Sequence, residues 1–414
     1  MKSFYLPSLI IFLICVFRPT ESKAYSILSH QAIVDAAWKT TILPELLKKY
    51  PASTDSLLKV AHAYAYGGSV AADMGYFPFG STFYSDLVHY VRSGDFIISL
   101  LDESKELNEY AFALAFISHY IGDKYGHSMA TNKITPLLYP KVKKKYGNVV
   151  TYEQDKTAHA RTEFGFDVLQ LARGSYESQA YHDFIGFQIS KSLLERSFMK
   201  TYGLDINDVF GNFSLAIGSF RWSVKNLFPT LTRAAWKSKK AEIQKLKPGI
   251  TSRQFKYKMD KKAYYKEFGT DRHKPGLGAS LLSFALRIIP KIGPLKKLRF
   301  KVPGPEIEKI FIQSFDTTSF YYMRNIRLAG AGNLILPNID YDTGQASMHG
   351  EYNLADETYL NLLLKLKDDN FKTVTPNLKQ NILKFFDSPS TAKIEEKKKQ
   401  SLYEALAALK AFNP

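Results

Sequence analysis

His119, Asp123 and His127 recur every fourth residue within ALAFISHYIGDKYGHSM, the stretch from Ala113 to Met129. At about 100° per residue, two such steps keep the three side chains on one helix face. That face carries two imidazoles and a carboxylate in the middle of an apolar pattern. A buried carboxylate requires a partner, and a metal ion that accepts His and Asp together, zinc foremost, is one that fits. The spacing by itself is equally compatible with a solvated polar face, so the rest of the chain has to decide.

More residues of the same chemical kind flank this stretch. His30, Asp73 and His89 precede it. His159 and Glu163 follow as a second four-residue pair in TAHARTEFGF, which puts both groups on one side of one helical turn. Five of the nine histidines thus fall into one ordered series. The others, His62, His182, His273 and His349, are expected to be hydrogen-bonded or surface histidines. Asp86, three residues before His89, is either an acceptor that orients that imidazole or a surface carboxylate.

These residues need elements to position them. Leu107 to Ala130 reads as the central helix. Ala32 to Tyr50 reads as a helix ended by Pro51, and Ser56 to Tyr66 as a short helix broken at Gly67 and Gly68. The Gly/Pro/aromatic run Ala71 to Ser85 reads as a structured loop, Asp86 to Leu101 as helix, and Pro136 to Asn148 as a basic segment that stops near Gly147. Tyr152 to Arg173, Ser178 to Thr201 and Asp205 to Leu227 read as further helices. Strand-type alternation is scarce, so residues 25–235 are expected to form one all-α domain. Beyond it, Lys237 to Lys262 is crowded with lysine, and Asp271 to Pro305 carries several Pro and Gly. Lys296 to Lys301 mixes basic and aromatic residues, as either a solvated connector or a basic arm would. Ile307 to Ala329, Asn353 to Leu366, Leu378 to Phe386 and Ala392 to Ala411 read as helices, with a loop from Gly330 to Gly350. Residues 236–414 are therefore expected to be a basic, mostly helical C-terminal extension.

Composition sets the compartment and the sign of the partners. The chain has 414 residues, 45% of them hydrophobic, enough for a large core. Its formal charge of +17 attracts anionic partners: lipid surfaces, nucleic acid or phosphorylated substrates. Lys2, the apolar run Leu6 to Phe17 and the small-residue site Ser22-Lys23-Ala24 predict a signal peptide over residues 1–24. The expected location is secreted or periplasmic, with Tyr25 as the first residue of the mature chain. The single cysteine, Cys15, lies in the apolar run. The mature chain would then have neither disulfides nor thiolate ligands, and any zinc would be held by N and O atoms. No later stretch is apolar for long enough to span a membrane.

Taken in order, Tyr25, His30, Asp73, His89, HYIGD (His119 to Asp123), His127 and HARTE (His159 to Glu163) resemble the zinc-dependent phospholipases C, which are related in fold to the S1/P1 nucleases. Ala72-Asp73 and Ser81-Thr82-Phe83 also look like the phospholipase loop. The resemblance implies an all-α, phospholipase C/P1 nuclease-like helical bundle with three zinc ions in one cleft. By the same resemblance, Asp73, His89, His119 and Asp123 would hold one ion, and His127, His159 and Glu163 a second. The amine and carbonyl oxygen of Tyr25, with His30 and Asp123, would hold the third, so that Asp123 bridges two ions. Asp73 doubles as a candidate general base. Tyr25 stands where the family usually has Trp, and Met74 where choline-lipid enzymes have an aromatic residue. The interval from Asp123 to His127 is shorter than usual in the family.

Three functions follow from this reading. The first is a secreted zinc-dependent phosphodiesterase that cleaves phospholipid to diacylglycerol and a phosphorylated head group. Glu163 favours it, because the nucleases more often end the motif with Asp. The second is a single-strand nuclease of S1/P1 type, for which the positive charge and the many Tyr and Phe would serve as a stacking platform. The third is a non-catalytic protein stabilised by zinc that docks on a membrane or a protein partner through its basic extension.

Overall fold

The structure is a computed structural model that describes residues 26–255, 266, 299–387 and 396–414. The predicted signal peptide, Tyr25, His273 and most of the lysine-rich and Pro/Gly-rich connector lie outside them.

The chain is all-α, and no strand occurs among the described residues. Helix α1 (Ile27–Ala37) widens by one turn over Trp38–Ile42 and continues as α2 (Leu43–Lys49). Helix α3 (Asp55–Val70) begins at Thr54, whose hydroxyl accepts the Leu57 N–H. A short tight helix, Ala71–Tyr76, then leads through a loop to α4 (Thr82–Tyr90) and α5 (Ser93–Glu103). The central helix α6 (Leu107–Tyr125) passes into a wide turn, Gly126–Thr131, and on into α7 (Asn132–Leu138) and α8 (Pro140–Tyr146). Helix α9 (Lys156–Arg173) is capped by the Asp155 side chain and stopped by Gly174 in the left-handed region. Helices α10 (Gln179–Ile185), α11 (Lys191–Tyr202), α12 (Ile206–Phe210), α13 (Phe213–Trp222), α14 (Phe228–Leu246) and α15 (Ser252–Phe255) follow. The last part holds α16 (Pro305–Gly330), α17 (Asn353–Asp368), α18 (Pro376–Asp387) and α19 (Glu396–Ala411).

The central helix is buried on every side, with all its residues from Glu109 to Asp123 inside the protein. A helix of that kind has to be surrounded. Helices α3, α5 and α16 pack around it, and α1 crosses it near His30. Gly67 and Gly68 do not break α3 as the sequence suggested. A Cβ on Gly68 would sit 2.1 Å from the Phe112 carbonyl oxygen, so the glycine permits close approach to α6, and the helix runs on to Val70. That extra turn matters, because it brings the Ser69 carbonyl to His119. One apolar core unites residues from both ends of the chain: Ile33, Phe116 and Tyr120 with Tyr322, Ile326, Tyr341 and Leu363.

The segment between α16 and α17 closes over this core. Asp340 N–H donates to Gln345 O (2.9 Å), an isolated bridge joins Ile339 to Ala346, and Tyr341 N–H donates to His89 O (3.2 Å). Among the described residues no helix is long and apolar enough to cross a membrane.

Candidate metal centre

The predicted residues from His30 to Glu163 come together from six elements, and all are buried. His30 comes from α1 and Asp73 from the tight helix after α3. His89 comes from α4, His119 and Asp123 from α6, and His159 and Glu163 from α9. His127 sits in the wide turn that follows α6.

Two imidazoles and two carboxylates face one another at the first group. His119 Nε2 lies 3.3 Å from His89 Nε2 and 3.3 Å from Asp123 Oδ2. His89 Nε2 lies 3.5 Å from Asp73 Oδ1 and 3.6 Å from Asp123 Oδ2. Both Nδ1 atoms are already engaged by backbone carbonyls, His89 by Ser85 O (2.7 Å) and His119 by Ser69 O (2.9 Å). A carbonyl only accepts, so each Nδ1 carries the hydrogen, which leaves Nε2 as the atom that each ring can offer to a cation. Asp86, a candidate to orient His89, instead receives the Tyr76 hydroxyl (3.0 Å) while Ser85 takes over the orienting role.

A second group forms on the other oxygen of Asp123. His30 Nε2 lies 3.4 Å from Asp123 Oδ1, and its ring stacks on His119 with centroids 4.3 Å apart. Gly122 makes room for this ring, since a Cβ there would meet His30 Cε1 at 3.1 Å. Tyr25, the remaining residue of the predicted set, lies outside the described residues. The third group pairs His159 Nε2 and Glu163 Oε1 at 2.7 Å, with His127 Nε2 3.4 Å from the same oxygen. The helical stripe read from the sequence is thus divided. The wide turn at Gly126 carries His127 towards α9, while His119 and Asp123 stay with α1 and α4.

These residues fit a cation. Asp73 Oδ1, both carboxylate oxygens of Asp123 and His127 Nε2 are buried without a well-formed hydrogen bond among the described residues. Each such atom costs about 1–3 kcal/mol if nothing compensates it. Ligands about 2.0–2.1 Å from a tetrahedral zinc stand roughly 3.3–3.4 Å apart, close to the separations given above. In three groups the possible ligand atoms all lie within 4.8 Å of one another: His30 with His119 and Asp123, Asp73 with His89 and His119, and His127 with His159 and Glu163. The donor set is N and O only, as the sequence required.

Electrostatics make the same point. Burial opposes the charged form of His119, but Asp123 and Asp73 carry it up to about 9. Burial likewise opposes the Asp123 carboxylate, yet His119, His30 and His127 hold it well below the usual range. His30 is held below its ordinary value by burial and by the neighbouring His119. Asp123 thus keeps its charge, offset by the proton on His119, which an entering cation would displace.

Of the histidines left out of the series and expected to be hydrogen-bonded or on the surface, two have an acidic partner, whereas both ring nitrogens of His349 are buried without a hydrogen bond among the described residues. His62 and His182 pair with Asp35 at 3.3 and 3.6 Å, and His349 lies against Phe385 and Phe386. Sequence reasoning missed two further carboxylates. Asp342 meets the His127 ring from the far end of the chain. Asp167, one turn after Glu163, accepts the Ser29 hydroxyl (2.8 Å) and the Leu28 N–H (3.3 Å), fastening the segment that carries His30. The four-residue step from Glu163 to Asp167 was the one local signal available for it.

Burial pushes the Asp167 carboxyl up to about 6 from 3.8, against hydrogen bonds from Ser26, Ser29 and Leu28. A raised carboxyl contributes its stability fully below about pH 4 and loses it as pH rises through about 6. About two units correspond to about 3 kcal/mol. Asp167→Asn removes that titration, so variant and parent are expected to match at about pH 4. Above about pH 7 the variant should be more stable by about 3 kcal/mol in denaturant unfolding. A difference that stays constant between those pH values would refute the assignment.

Residues 29–212 match the family model of zinc dependent phospholipase C, a stretch that contains every predicted ligand except Tyr25. Searches of curated proteins and of solved structures found no match. That match agrees with the three groups of His and carboxylate residues inside an all-helical fold: residues 29–212 of this chain are similar to the zinc-dependent phospholipase C family.

Proposed function

We propose that the chain is a secreted phosphodiesterase of phospholipase C type that holds three zinc ions and hydrolyses phospholipid to diacylglycerol and a phosphorylated head group. One observation supports this above the others: the inward Nε2 atoms of His89 and His119, with Nδ1 committed to carbonyls, face the same carboxylates. Asp73, His89, His119 and Asp123 would hold one ion, and His127, His159 and Glu163 a second. Tyr25, through its amine and carbonyl, would hold the third with His30 and Asp123. The two oxygens of Asp123 face different imidazoles, which suits a bridging carboxylate.

Bound zinc supplies charge neutralisation at phosphate oxygens and a water acidic enough to attack phosphorus at neutral pH. The chain's own residues supply the rest. The Ser85 and Ser69 carbonyls fix the rings of His89 and His119. Asp73, buried beside both, is the carboxylate we assign to receive the proton of the attacking water. The net charge of +17 draws the protein to anionic surfaces.

The test compares products. Zinc-loaded mature protein is offered phospholipid vesicles and single-stranded nucleic acid separately, each with a chelator control. Chelator-sensitive release of diacylglycerol and phosphorylated head group is the expected result. Release of nucleotides with lipid untouched would assign the chain to the nuclease branch. Bound zinc with neither product would leave the docking reading.

The N-terminal amine gives a separate prediction. A chain with one extra residue before Tyr25 is expected to lose activity by at least roughly tenfold, about 1.4 kcal/mol of transition-state stabilisation. Full activity in that chain would remove Tyr25 from the site.

A further inference from the structure

The C-terminal segment lies outside the stretch matched to the family, yet it reaches the third group of ligands. His127 Nδ1 donates to the Tyr341 carbonyl at 2.9 Å and lies 3.4 Å from Asp342 Oδ1. Asp342 is fully buried. Its other oxygen accepts the hydroxyls of Tyr90 (3.1 Å) and Tyr352, and its carbonyl accepts Asn132 Nδ2 (2.6 Å). The carboxylate is therefore fixed in place before any ligand arrives.

The turn that carries it is equally fixed. Ser93 both donates to Ile339 O (2.7 Å) and accepts the Ile339 N–H (2.9 Å). Asn338 Oδ1 accepts the N–H groups of Gly94 and Asp95, both at 3.0 Å, and Tyr120 donates to Pro337 O (2.9 Å). A Cβ on Gly344 would come within 2.9 Å of Lys124 O, so the turn lies directly on the end of the central helix.

We propose that Asp342 is a positioning residue for His127, by which the C-terminal segment completes the metal centre. The Tyr341 carbonyl takes the Nδ1–H and sets the tautomer, and the Asp342 carboxylate beside it places negative charge at that edge of the ring, which holds the ring orientation and raises its basicity. The ring of His127 needs that support more than the others do. It stands in a wide turn and not in a regular helix, and its Nε2 faces Glu163 across the gap to α9. The inference rests on the proposed ligand role of His127, His159 and Glu163.

The experiment loads full-length mature protein with cobalt(II) or zinc in buffers of set free-metal concentration. It reads metal per chain and the visible cobalt spectrum. The parent protein and His127→Ala come first: their difference defines the ion that His127 holds. If they do not differ, the ligand reading fails, whatever Asp342 does. Given a difference, Asp342→Asn is expected to weaken the same ion by about 10–100-fold and leave the others unchanged. Its cobalt spectrum should change in the band lost in His127→Ala. Parent-like affinity and spectrum in Asp342→Asn would overturn the proposal. If Asp342→Asn does not fold, Tyr352→Phe serves instead, because it removes one donor to Asp342 and keeps the carboxylate. It should weaken that ion in the same direction, and no change would overturn the proposal.

Discussion

Asp123→Ala is expected to release two of the three proposed ions and to lower kcat/KM for phosphodiester hydrolysis by roughly a thousandfold or more. Its Oδ2 stands within 3.3 Å of His119 and 3.6 Å of His89, and its Oδ1 within 3.4 Å of His30. No other carboxylate in the structure faces both imidazole groups at these distances among the described residues. Its removal leaves three buried rings with only Asp73 for a counter-charge on that side. Metal ions stabilise the transition state for attack on phosphorus by several kcal/mol, and about 4 kcal/mol is about a thousandfold in rate. Asp123→Asn is the milder probe, since it keeps the shape and one acceptor oxygen but turns an amide donor towards one group. It should lose one ion and keep the other. Zinc per chain and turnover are measured together. Full zinc content in Asp123→Ala would refute the bridging role even if turnover fell.

Much of this centre is legible in the sequence because its residues sit in regular helices. His119 and Asp123 are one turn apart in the buried central helix, and His159 and Glu163 repeat that step, so local spacing carries them. The partners of His127 are not legible in the same way. Its spacing from Asp123 implies one continuous face, but the helix widens at Gly126, and a wider turn rotates the next residue away. Gly67 and Gly68 misled for a related reason. A glycine that ends a helix and one that lets two helices approach look alike until the neighbour, here the Phe112 carbonyl, is known. Asp342 was hidden altogether. It lies 215 residues after His127 in a segment that reads as an ordinary turn, and only tertiary packing brings it to the ring. The turn that carries it is anchored through Ile339, Asn338 and Pro337 to Ser93, Asp95 and Tyr120, contacts without any sequence periodicity.

Stripping the metal is expected to lower Tm by roughly 20 °C or more at about pH 7, and adding zinc back should restore it. The centre brings at least eight buried titratable side chains together from α1, the segment after α3, α4, α6 with its wide turn, and α9. Those are the same elements that build the core around the central helix, so the ions join parts of the chain that are distant in sequence. A ligand present at about a thousand times its dissociation constant adds about 4 kcal/mol per site. The three proposed sites would then approach about 12 kcal/mol, comparable to the whole stability of an ordinary protein at about 5–15 kcal/mol. At about 2 °C per kcal/mol for a larger chain, the shift exceeds roughly 20 °C. Calcium or magnesium should not substitute, because imidazole nitrogens suit zinc and those ions prefer oxygen. Thermal unfolding is followed with chelator, with zinc and with magnesium, and turnover is assayed on the same samples. Loss of both Tm and turnover, recovered by zinc alone, is the expected outcome. A Tm within about 2 °C of the parent after complete metal removal would mean that the buried carboxylates are compensated by protons on His119 and its neighbours, and the ions would then have no part in holding the fold.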